Sequence, residues 1–98
     1  MTRTEMLQTA QRIVADREKS YGPPDIHFTR TVKMINALFG EKFVEPLTTC
    51  DWAQIMILDK LSREQARPKA DTAIDIAGYA SCLHRCRTER GEYGEESK

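Results

Sequence analysis

The densest apolar run of the chain is DWAQIMILDKL, Asp51 to Leu61. There Trp52, Ala53, Ile55, Met56, Ile57, Leu58 and Leu61 place hydrophobic groups on nearly every face of a helix. A helix that is apolar all round is a central, buried one, so the pattern predicts a core helix ending near Ala66. Charge enters it abruptly at Asp59, Lys60 and Arg63, which share roughly one face because helical neighbours lie three and four residues apart.

Two amphipathic helices are predicted before it. Thr2-x-x-Glu5 has the spacing of a capping box, and Met6, Ala10, Ile13 and Arg17 follow as a stripe, with Leu7 and Val14 beside it. This first helix is expected to end near Lys19, where Ser20-Tyr21-Gly22-Pro23-Pro24 breaks it. Asp25 then reads as the N-cap of a second helix, whose core stripe is Phe28, Val32, Ile35 and Phe39, with Leu38 alongside and Gly40 as the stop. A short connector and the caps Thr48 and Thr49 lead into the apolar helix. Arg67 to Ala70 forms a turn, and a fourth helix is expected from about Asp71 to about Glu89. It is rich in small residues (Ala73, Ala77, Gly78, Ala80, Ser81), which allow close approach. Gly78 inside a helix costs about 1 kcal/mol against alanine, which asks for a packing or binding reason. No strand-like alternation is present. The expectation is therefore an all-α four-helix bundle, one domain over residues 1–90, with a polar, disordered tail over 91–98.

Composition narrows the partners. The chain has 98 residues, 40% hydrophobic and 31% charged, with a formal net charge of zero. There is no global field to attract DNA or an anionic membrane, and the positive charges are interleaved with acids on every helix, so neither is expected as a partner. No apolar run approaches the ~20 residues that span a bilayer, and the N-terminus lacks the apolar core of a signal peptide, which points to a cytoplasmic protein. Cys50, Cys82 and Cys86 are too few for a zinc site of about four ligands and too odd for a disulfide framework. Buried reduced thiols are expected, and His27 and His84 read as lone histidines.

The candidate chemistry lies in the last two helices. A short loop makes them an antiparallel pair, which would bring Lys60 and Arg63 towards Asp71 and Asp75, with Tyr79 on the same stripe. Three readings are open. The charges can form a structural network, since buried charges must be paired. Lys60 and Arg63 can hold a phosphate, helped by Arg17, Lys19 and Tyr21 if the first loop folds over the same end, with Tyr21 stacking on a base. Or Asp59, Asp71 and Asp75 can bind a divalent cation such as Mg²⁺. A GxxxxGK phosphate loop is absent.

Arg17, Tyr21-Gly22-Pro23, Lys60-x-x-Arg63 and Asp71-x-x-x-Asp75-x-x-Gly78-Tyr79-Ala80 together resemble a family of short, largely uncharacterised phage and prophage proteins. These are similar to the nucleotide-modification-associated helical domains and, more distantly, to the MazG-like all-α nucleoside triphosphate pyrophosphohydrolases. The resemblance covers roughly Arg17 to Leu83. It implies a helical bundle, a homo-oligomer and a nucleotide-related role in phage–host biology. In the pyrophosphohydrolases acids on two helices hold Mg²⁺; the resemblance sets Asp71 and Asp75 against the second pair, spaced by four rather than three, and Asp59 against one acid of the first helix, while Gln54, Met56 and Lys60 stand where further acids are expected. The favoured expectation is a non-catalytic nucleotide-binding protein needing no cofactor, one version of which sequesters a nucleotide signal of the host. The alternatives are a Mg²⁺-dependent pyrophosphohydrolase and a small module that inhibits a host protein complex. Because four short helices cannot cover an all-apolar helix, assembly into an oligomer is also expected.

Overall fold

A computed structural model of the chain describes residues 1–94. Among them are four α-helices and no strand: α1 (Arg3–Tyr21), α2 (Pro24–Phe39), α3 (Thr49–Ala66) and α4 (Ala70–Glu89), with a single 3-10 turn at Gly40–Lys42 after α2. The all-α expectation holds. No helix among the described residues is long and apolar enough to cross a membrane.

The helix ends follow local chemistry. Thr2 accepts from the Glu5 backbone N–H at 3.1 Å, and Glu5 Oε1 accepts from the Thr2 N–H at 3.1 Å. Thr48 and Asp51 repeat this reciprocal pair at the start of α3. Each pair satisfies two orphan donors of a first turn. Gly22 ends α1 at φ 80°, a conformation side chains disfavour. The second helix begins earlier than Asp25: Pro23 is its cap and Pro24 its first residue, because proline's fixed φ suits that position. Asp25, freed from capping, lies 3.4 Å from Arg85 Nε on α4. Asn36 bonds both the N–H and the carbonyl of Leu47, at 2.9 and 3.0 Å, and so ties the connector before α3 to α2.

The helix at the centre is α4 rather than α3: α4 packs against each of the other three. Of α3 only Cys50 and Ala53 are buried, while Ile55, Leu58 and Leu61 are 41%, 63% and 42% exposed. The all-apolar pattern is real, but among the described residues α3 packs mainly against α4 and α2, which leaves its outer face bare. The small residues of α4 explain the reversal, since a slender helix is the one three others can approach. Phe28, Val32 and Ala10 fill expected core positions and Ile74 of α4 joins them, whereas Leu38 and Phe39 are exposed. The closed part of the core joins Phe28, Cys50, Ala53 and Cys86, flanked by Trp52, Tyr79, Cys82 and Leu83.

Cys50 and Cys86 meet in that cluster, and Lys60 meets Asp75, so sequence positions rise on α3 as they fall on α4. The hairpin is antiparallel, as the short turn requires. Of the expected tail, residues 91–94 form a turn in which Glu92 lies 2.9 Å from Arg90 and 3.4 Å from Arg87. Residues 95–98 lie outside the described residues.

Candidate functional site

Towards the turn end of the hairpin, α1 and the start of α2 border α3 and α4 around a cleft of about 410 Å³. Helix α1 supplies Ile13, Val14, Arg17, Glu18 and Tyr21, one stripe of a helix at the three- and four-residue spacing. The turn at Gly22 carries the chain over the cleft mouth, and α2 then contributes His27 and Phe28. Lys60 comes from α3, and Asp75, Gly78, Tyr79 and Cys82 come from successive turns of α4.

Lys60 Nζ lies 3.2 Å from Asp75 Oδ2, with the two side chains 18% and 39% exposed. The pair crosses between helices, so each side chain is anchored on a different wall. Tyr21, on the rim and 57% exposed, has its ring centroid 5.6 Å from His27, and His27 lies 5.8 Å from Phe28, both at tilted angles. Separations of this size are those of interacting aromatic pairs. The cleft thus has an aromatic edge, apolar walls and a charged end. A Cβ placed on Gly78 would meet Val14 Cγ2 at 3.7 Å, an ordinary contact. Helix packing does not demand glycine there; its effect is to keep the floor of the cleft low.

Burial pushes the Cys82 thiol up to about 11, with smaller contributions from the neighbouring Cys86 and Glu18 charges. Burial also raises Cys50, reinforced by its hydrogen bond to Glu92, and raises Cys86 despite the Thr49 hydroxyl. All three thiols are free, and burial favours the neutral thiol over the reactive thiolate at each of them.

Five of the eight residues expected to bind a ligand line this cleft: Arg17, Tyr21, Lys60, Asp75 and Tyr79. Three do not. Arg63 turns outward and bonds Asp59 along its own helix at 3.1 Å, and Lys19 and Asp71 are exposed elsewhere. The reason is helical phase: Lys60 is on the inner stripe of α3 with Ala53 and Ile57, whereas Arg63 lies a further 60° or so around the axis. Asp59, Asp71 and Asp75 do not gather into a ligand set, and no group of three His, Cys, Asp or Glu side chains among the described residues could hold a metal ion. With Asp59 taken by Arg63 and Asp75 by Lys60, the residues do not fit a Mg²⁺ pair.

The sequence reading missed His27, Phe28 and Glu18 as lining residues. The signal was present in the turn: Gly22-Pro23-Pro24 reverses the chain tightly enough that the first turn of α2 must face the last turn of α1. It also missed Glu64, one turn beyond Lys60, which has a buried carboxylate oxygen without a hydrogen-bond partner among the described residues.

The family described as a domain of unknown function, DUF6378, matches residues 5–87, a span that contains the whole cleft. The chain is also similar to the "Gene 55 protein" of Mycobacterium phage D29, 35% identical over 86 residues, which are 86% of this chain and 54% of that relative. The chain therefore spans about half the length of this curated relative. No solved structure matches.

Proposed function

The chain belongs to the DUF6378 family, and from that footing we propose that it is a phage-associated, nucleotide-binding protein that holds its ligand in the cleft between α1 and α4 without turning it over. The observation that carries this reading is the meeting of Arg17, Lys60 and Asp75 with Tyr21, His27 and Tyr79 around one cavity. Arginine forks onto a phosphate, an exposed tyrosine on a rim offers a base a stacking surface, and a carboxylate accepts from base or ribose donors. A volume of about 410 Å³ lies in the range of roughly 300–1,000 Å³ typical of small-molecule sites. Binding rather than hydrolysis is supported by the scattering of Asp59, Asp71 and Asp75, two of which are already held by cations. Sequestration of a host nucleotide signal is the biological role this reading fits best, since a sponge needs affinity and no catalytic group.

The test is a thermal-shift panel of nucleosides, mono-, di-, tri- and cyclic nucleotides on the full chain. A ligand present at 100 times its Kd stabilises the folded state by about 2.7 kcal/mol, which raises the melting midpoint by several degrees. A panel with no shift at millimolar concentrations would remove the proposal.

The same reading includes assembly. Ile55, Leu58 and Leu61 form an uncovered stripe on α3, with Met34 and Leu38 bare on α2. The radius of gyration, 14.6 Å, exceeds the ~13 Å of a compact domain of this length. A two-fold dimer that buries the α3 stripe accounts for both. Light scattering at tens of micromolar is expected to give twice the 11.2 kDa chain mass; a clean monomer would refute the dimer while leaving the cleft reading intact.

A further inference from the structure

We propose that the cleft takes a nucleoside or a nucleoside monophosphate and discriminates against the triphosphate of the same nucleoside. The inference rests on the nucleotide-binding reading above and adds the ligand's charge state to it. Its basis is the charge balance of the lining. Two cations, Arg17 and Lys60, face two carboxylates, Glu18 and Asp75. Lys60 is committed to Asp75 at 3.2 Å and its side chain is only 18% exposed, so displacing water from the cleft strengthens that pair rather than releasing it. Among the described residues Arg17 enters no ion pair. One guanidinium is therefore available, and one guanidinium matches one phosphate through two parallel N–H bonds.

A polyphosphate asks for more. Sites that hold one bring together a lysine, a cradle of backbone N–H groups and a metal ion between the β- and γ-oxygens. Here the lining has no glycine-rich loop, and the acids are not arranged around a metal position. The additional charges of a triphosphate would lie near Glu18 and Asp75 and against the apolar walls of Ile13, Val14 and Phe28. Repulsion from those carboxylates opposes each added phosphate charge. A monophosphate leaves both acids useful: Asp75 accepts from the base or ribose while still neutralising Lys60.

The experiment is isothermal titration of the full chain with adenosine, AMP and ATP and with guanosine, GMP and GTP, in EDTA at about 0.1 M salt, where charges more than ~10 Å apart are screened. For the base that binds, the monophosphate is expected to bind about tenfold more tightly than the triphosphate. A triphosphate that binds as tightly as, or more tightly than, its monophosphate would overturn this inference and leave the nucleotide reading standing. Absence of binding by every member would overturn this inference, and the nucleotide reading falls with it only if the thermal-shift panel is also silent. Asp75→Asn releases Lys60 and is expected to shift the preference towards the triphosphate by several-fold; Lys60→Gln is expected to shift it the other way. Melting curves confirm that each variant is folded, and a preference unchanged in the folded variants would overturn the charge-balance argument.

Discussion

The two ends of the α3–α4 hairpin are built from similar backbone and do different things. At one end Cys50, Ala53 and Cys86 close against Phe28, with Ala53 and Cys86 at 0% exposure. At the other, Lys60 and Asp75 face a cleft that is walled by α1 and the start of α2. Side-chain size explains the contrast. Small, neutral groups let helices approach until no water remains, whereas a charged pair must keep solvent or a ligand nearby because full burial of ions is costly. The closed end supplies stability, and the open end spends some of it on a cavity.

The comparison breaks most readily at the closed end. Ala53→Asp would bury a carboxylate with no partner and is expected to cost more than about 3 kcal/mol, enough to unfold much of a domain this small. Urea denaturation would show it; a midpoint within error of the parent would mean that Ala53 is not where the core closes.

A smaller effect belongs to Cys82, which borders both ends. Its thiol is held at about 11 in the folded protein, above the ordinary cysteine range near 8.5. The folded state therefore keeps a proton that the unfolded chain gives up. The stability from the neutral thiol is fully present below about pH 8.5 and is lost as pH rises towards 11. Discounted for partial exposure, the loss is about 1–2 kcal/mol. Urea midpoints at pH 8 and pH 10.5 should differ more in the parent than in Cys82→Ala, and equal differences would contradict it.

Gly78 sharpens the contrast, because its two roles have opposite signs. Gly78→Ala is expected to stabilise the fold by roughly 0.5–1 kcal/mol through helix propensity, since the new Cβ meets Val14 at an ordinary distance. The methyl also raises the cleft floor, so ligand affinity should fall while the melting temperature rises. A variant that loses both would show that Gly78 serves packing.

The smallest effect is outside the cleft. Arg63→Ala removes an exposed pair with Asp59 worth about 0.3–0.5 kcal/mol and should leave ligand affinity unchanged. A tenfold loss would restore Arg63 to the site.

Much of this was legible in the chain. The capping box at Thr2, the cap at Thr48, the Gly22-Pro23-Pro24 break and the antiparallel hairpin follow from local chemistry, and that hairpin does bring Lys60 to Asp75. What was not legible is which helix would be central. Hydrophobic content singled out α3, but a helix is surrounded only if its neighbours can approach it, and the small residues of α4 decided that. The same blindness to tertiary phase grouped Arg63 with Lys60 and Asp71 with Asp75, although each pair is divided between the cleft and solvent. Sequence spacing identifies faces, not which face the rest of the chain covers.

The most direct test is an amide NMR titration of the full chain with the nucleotide that gives the largest thermal shift. The account predicts saturable shifts confined to the cleft, at residues around Arg17–Phe28, Lys60 and Asp75–Cys82, and abolished by Arg17→Ala in a variant that remains folded. Saturable shifts centred instead on Arg30, Lys33 and Arg90, which border a second depression between α2 and α4, or no shifts at all, would contradict it.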